Sequence, residues 1–215
     1  MRHLVLLLGV GILLAGTACF EIERQTQVNV TPGTVPEEIR DARWPSLPVS
    51  YCIVPTDAGF VDPSRLAELV DEAFAAWGAQ VASDGECDNV EQGNERNEIA
   101  WEAPGGEGAA PAGASSDGGV FQAGFTRQLF RECLNDCEGE AQSRIVEADI
   151  LLTPEPPERF RTEECLFSTL LHETGHFLGV PHLESPAVMA PATTECPQEL
   201  TEADRDAFAE LYGNQ

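Results

Sequence analysis

The chain has no lysine, only four histidines and only two methionines. Its positive charge rests on 12 arginines against 37 acids, a net charge of −25. So acidic a surface repels nucleic acid and anionic lipid headgroups, which excludes DNA, RNA and polybasic membrane docking. Most of the acids serve solubility; the sharper alternative is that some hold Ca²⁺, with Asp117 to Gly119 one candidate stretch. Long apolar runs are scarce too. The one at Leu4–Ala15 is too short and too lightly flanked for a stable membrane span.

That first run has the form of an export signal: Arg2, the apolar stretch, then the small residues Gly16, Thr17 and Ala18 before Cys19. It resembles the lipobox of bacterial lipoproteins, which implies a lipid anchor at Cys19 in a bacterial cell envelope. Gly16 departs from the leucine usual there, and ordinary cleavage after Ala18 with free secretion is the alternative. Of the seven cysteines, removing Cys19 leaves six, an even set suited to disulfides in an exported protein. Spacing alone does not fix their pairing. The expected set is Cys133–Cys137, Cys52–Cys87 and Cys165–Cys196.

Residues 1–18 are thus read as a signal peptide, 20–43 as a flexible tether and 44–215 as one folded domain. Leu47–Val54 has strand character. A helix follows, capped by Asp62 with Pro63 in its first turn and an apolar stripe at Leu66, Leu69, Val70, Ala73, Phe74 and Trp77. Gly78 and the polar stretch after it end that helix. Strands are expected over 97–103, 119–127 and 144–153, with a small-residue loop over 104–119. Helices are expected over Glu163–Leu178 and Thr201–Tyr212, the last with Thr201 and Asp204 as a capping box. The order of elements is that of an α+β domain with a mixed sheet.

Three of the four histidines fall in one stretch, HETGHFLGVPH at 172–182. On a helix, His172 and His176 leave one face a turn apart. Gly179 lets the backbone break away, and His182 returns from the new direction. Three neutral imidazoles make a tripod that suits Zn²⁺ and leaves one position for water. Glu173 stands beside the tripod without being a ligand. It can take the proton of a zinc-activated water and later hand it to a leaving amine, which is peptide hydrolysis without a covalent intermediate.

The extended motif resembles the metzincin zinc peptidases. Met189, in SPAVMAP, stands where that clan has its Met-turn. The Pro-x-x-x-Met-x-Pro pattern and the ending LTEADRDAFAELYG are similar to matrixin catalytic domains, and ADILL at 148–152 resembles one of their core strands. The resemblance covers roughly 44–213 and implies a metzincin-like catalytic domain: a twisted mixed sheet, a first helix, an active-site helix and a C-terminal helix. It also implies a substrate laid along an edge strand. The residue after the scissile bond would enter a pocket between the helix at His172 and the segment from Pro186 to about Glu199. Several positions depart from the family. Leu183 replaces a usual serine, Ala190 replaces the tyrosine ligand of astacin-like relatives, and no PRCGxPD switch segment is present, so the enzyme is expected to be made active. His3 alone is left over, so the second histidine-rich zinc site of animal matrixins cannot form here.

The leading expectation is an exported zinc-dependent endopeptidase acting on proteins or peptides, with Glu173 as general base, His172, His176 and His182 as ligands, and Met189 as Met-turn. It would act as a monomer and meet a membrane only through Cys19. The alternatives are a non-catalytic surface lipoprotein that binds peptide or metal on the same fold, and a metal-dependent amidase acting on a non-peptide substrate.

Overall fold

A computed structural model describes residues 21–27, 42–101, 123–133, 143–191 and 195–213. Among these, six strands form one sheet: β1 (Glu21–Gln27), β2 (Val49–Ile53), β3 (Val81–Glu86), β4 (Glu98–Trp101), β5 (Gly124–Cys133) and β6 (Ser143–Leu152), in the order β1-β5-β6-β4-β2-β3. β3, β2, β4 and β6 run parallel, whereas β5 is antiparallel to both β6 and β1. The helices are α1 (Pro63–Trp77), α2 (Glu163–Phe177) and α3 (Glu202–Tyr212). The expected α+β arrangement of a mixed sheet with three helices is the one observed.

Each helix begins and ends on the residues its sequence offers. Asp62 accepts the Arg65 N–H at 2.9 Å, and Gly78 (φ 71°) stops α1. Thr162 caps α2, and Thr201 with Asp204 forms the capping box of α3. The stripe Leu66, Leu69, Val70, Ala73, Phe74 and Trp77 is buried as expected. It packs with Leu170, Leu171, Phe177 and Leu178 of the α2 region over Ile99, Ile145, Ala148, Ile150 and Leu152 of the sheet. The indole N–H groups of Trp44 and Trp77 donate to the Phe177 and Leu171 carbonyls at 2.8 and 3.0 Å, so these large side chains also fix where α2 lies.

One reading needs correction, and one strand was not expected. Glu21–Gln27, placed in a flexible tether over 20–43, forms β1 on the outer edge of β5; residues 28–41 lie outside the described residues. The polar stretch after Gly78 contains β3, whose residues Ala82–Glu86 are exposed. Its pairing with β2 and the Cys52–Cys87 disulfide hold it there, so tertiary context overrides a composition unfavourable to strands. The Cys165–Cys196 disulfide also forms. Cys133–Cys137, the loop over 104–119 with its calcium candidate, and Cys19 lie outside what is described.

The opposite face of the sheet is partly polar. Ile99 and Trp101 point to the helices, which by strand alternation turns Glu98 the other way, beside Asp149 of β6. Both carboxyls are fully buried. Arg127 forks onto Asp149 Oδ2 from Nε and Nη2 at 3.1 and 2.6 Å. Glu147 accepts the N–H groups of Gly93 and Glu95, both at 2.7 Å.

Candidate metal centre

α2 carries His172 and His176 on one face, with ring centroids 4.7 Å apart. The helix ends at Phe177, and Gly179 (φ 91°) redirects the chain. A side chain at Gly179 would be strained by that φ and would strike the Ala42 carbonyl. The turn brings the His182 ring centroid to 4.7 Å from His176 and 5.2 Å from His172. One ligand atom from each ring lies within 4.8 Å of the others, the only such group of three or more His, Cys, Asp or Glu among the described residues.

Hydrogen bonds orient two of the rings. His172 Nδ1 lies 2.8 Å from the Val188 carbonyl and His176 Nδ1 2.9 Å from the Val180 carbonyl. A carbonyl can only accept, so Nδ1 carries the hydrogen in both rings, which in the neutral imidazole leaves Nε2 with its lone pair. His172 Nε2 and His182 Nε2 stand 3.2 Å apart. Burial, together with the neighbouring imidazoles, pushes His176 well below the ordinary histidine range, and burial and His172 push His182 down to about 4. Neutral, converging imidazoles are the donor set a zinc ion takes, so the residues present fit that ion.

Glu173 is buried, which raises its carboxyl above the usual range, while His172 and a hydrogen bond from Thr126 oppose that shift. The Thr126 hydroxyl stands 2.8 Å from Glu173 Oε2 and 2.9 Å from the Glu173 carbonyl, so its single proton is shared between them. One carboxylate oxygen is therefore held by β5.

Met189 is fully buried under α2. A side chain at Gly175 would strike Met189 Sδ, with Trp77 Cζ2 2.6 Å away, so only glycine lets the turn pack this close. Asp204, from α3, accepts the N–H of Val188 through Oδ2 and of Met189 through Oδ1, both at 3.0 Å. Thr201 adds its N–H and hydroxyl to Oδ2 at 2.8 and 2.7 Å. Burial pushes the Asp204 carboxyl up, but these donors outweigh it and hold the group below the usual range. A continuous path results: Asp204 fixes the Val188 peptide, and the Val188 carbonyl fixes His172.

All five residues expected at the site, His172, Glu173, His176, His182 and Met189, come together. Thr126, Gly175 and the second role of Asp204 were not legible. A threonine in a strand carries no mark of its partner 47 positions away. The segment expected to wall a specificity pocket is tied to the start of α2 by Cys165–Cys196 and by Gln198 Nε2, which donates to the Glu164 carbonyl at 2.8 Å; residues 192–194 of it lie outside the described residues.

The family model Peptidase_M10, described as Matrixin, matches residues 43–213. No curated protein matches the chain.

Proposed function

The chain belongs to the matrixin family of metallopeptidases, and from that premise we propose that it is an exported zinc-dependent endopeptidase that hydrolyses internal peptide bonds of proteins, with Glu173 as its general base. The observation that carries the reading is the pairing of three converging imidazoles with a buried carboxylate braced from β5. Zinc bound there would lower the pKa of a coordinated water towards 7 and polarise the scissile carbonyl. His172, His176 and His182 would hold the ion, two of them locked in the ligating tautomer by backbone carbonyls. Glu173 takes a proton on the oxygen that Thr126 leaves free and returns it to the departing amine. Its burial excludes bulk water from that carboxylate and raises its affinity for the proton it must carry.

The same reading takes the exported chain as a monomer anchored in a bacterial envelope by a lipid on Cys19. Glu21 lies two residues after Cys19 and pairs with Cys133.

The test is metal analysis of the purified protein with a peptide-library cleavage profile, run on the wild type and on Glu173→Gln. Zinc bound by both and cleavage by the wild type alone is the expected result. Zinc bound by both and cleavage by neither would favour a binding protein on the same fold.

A further inference from the structure

β5 has two edges. Its inner edge pairs with β6, and its outer edge pairs with β1 from Glu21↔Cys133 to Gln27↔Arg127. Gly124, Phe125 and Thr126 lie beyond that register. They are also the part of β5 that meets the site. Thr126 bonds Glu173, and a Cβ built on Gly124 would stand 3.1 Å from the Thr169 side chain and 3.3 Å from Glu173 Cγ. The outer edge of β5 therefore leads directly to the catalytic carboxylate, and β1 fills it as far as Arg127, the residue after Thr126.

A strand edge carries a row of backbone donors and acceptors that an extended peptide can complete. β1 demonstrates that this edge accepts an antiparallel strand. A peptide laid antiparallel along β5 would run as β1 does, from Cys133 towards Gly124. Its residues near Gly124–Thr126 would lie at the reacting centre. Its residues further towards the N-terminus would need the positions of β5 that β1 already holds.

We infer that β1 is an intramolecular occupant of the substrate edge, which limits how many residues on the N-terminal side of the scissile bond the enzyme can engage. The inference rests on the peptidase reading above and adds a specificity-determining element to it. With β1 in place, recognition falls on the few residues next to the cleaved bond and on those after it. Displacing β1 lengthens the edge open to substrate.

The test uses the full chain and the double variant Arg24→Pro/Gln25→Pro. Adjacent prolines remove two successive N–H groups, one of which must face β5 in a strand. Peptides sharing one cleavage site are extended stepwise on the N-terminal side, and kcat and KM are measured for each. The wild type should gain little beyond the first few residues. The variant should gain about tenfold in kcat/KM for the longest peptides, mostly through KM, the equivalent of ~1.4 kcal/mol of recovered strand pairing. Amide exchange is followed on the unmodified chain as well, so the inference stays testable if the variant misfolds. There the outward-pointing amides of 127–133 should be protected and those of 124–126 open. Unprotected amides over 127–133, or identical length profiles for the two proteins, would overturn the role given to β1 while leaving a peptidase. Zinc bound with no cleavage by either protein would remove the peptidase reading, and this inference with it.

Discussion

Replacing Asp204 by asparagine changes one oxygen for an amide at a residue 15 positions from Met189 in sequence, yet it should loosen the metal centre. Oδ2 accepts from Val188 N–H and from both the N–H and hydroxyl of Thr201, and Oδ1 accepts from Met189 N–H. The least damaging rotamer puts the new NH₂ at Oδ1, where it faces the Met189 N–H and loses that bond. The remaining bonds lose their charge assistance, about half their strength. A hydrogen bond to a charged group contributes ~1.5–3 kcal/mol, so one bond lost and three halved amount to about 4–7 kcal/mol, or roughly 8–28 °C in Tm for a domain of this size. The Val188 carbonyl would then drift from His172 Nδ1, and loss of such an outer partner weakens metal binding by ~10–100-fold. The sign with pH follows from the depressed carboxyl. Asp204 stabilises the fold above its unfolded pKa of about 3.9, and that contribution is lost as pH falls through the lower folded value. The gap between wild type and variant should therefore be flat from neutral to mildly acidic pH and should close in stronger acid. Urea unfolding of the metal-free proteins across that range, with chelator competition for zinc at pH 7, measures both effects. A stability change within about 0.5 kcal/mol, the scatter of surface substitutions, together with unchanged zinc affinity, would refute the path from α3 to His172.

Thr126→Val should lower kcat by ~10–100-fold with zinc content unchanged, because the Glu173 carboxylate loses the bond that aims it, while Thr126→Ser should retain most of the activity. Steady-state kinetics on both variants checks this. Gly175→Ala should cost about 1–3 kcal/mol and weaken zinc binding, since the added methyl meets Met189 Sδ and Trp77; calorimetry and metal titration report the two effects. Burial, with the Glu98 carboxyl beside it, pushes Asp149 up to about 7 against the pull of Arg127. A raised acid destabilises the fold once ionised, so its contribution is fully present below the unfolded pKa near 3.9 and is lost as pH rises through about 7. Denaturant titrations of Asp149→Asn should show less decline in stability across that interval than the wild type.

The histidine motif was legible because its chemistry is local. Four positions make one helical turn, and a glycine with positive φ ends it, so HETGH and His182 define a tripod before any fold is known. α1 and α3 were legible for the same reason: Asp62, Gly78, Thr201 and Asp204 act within a turn of themselves. What stayed hidden depends on partners far along the chain. β3 is polar and exposed, and only pairing with β2 makes it a strand. β1 carries no steady alternation of apolar residues, and its place is set by β5, over a hundred positions later. Asp204 declared its cap but not its two bonds to the Met-turn, because the same side chain serves both and one use conceals the other.

The face of the sheet away from the helices raises a different question, since His3 is the only histidine outside the tripod and no second histidine-rich zinc site can stiffen that face. The disulfides do not act there alone: Cys52–Cys87 ties β2 to the end of β3, and Cys165–Cys196 ties α2 to the approach to α3. Between β4, β5 and β6 the brace is ionic. Glu98, Glu147 and Asp149 are buried there beside Arg127. Three carboxylates and one guanidinium cannot all stay charged away from water, because burial penalises each uncompensated ion by several kcal/mol. Two adjustments resolve this. Glu147 takes two backbone N–H groups from the loop at Gly93 and Glu95. Asp149, forked by Arg127, lies against Glu98, whose Oε1 accepts from Asn94 at 2.7 Å while Oε2 has no other hydrogen-bond partner. Burial, with the Glu98 side chain beside it, raises the Asp149 pKa to about 7, so this carboxyl gives up its proton less readily than an exposed one. β5 is thus held from both faces, by Arg127 on the carboxylates and by Thr126 on Glu173. Weakening the ionic side should therefore be felt at the catalytic carboxylate as a fall in kcat, with the tripod and its zinc left intact.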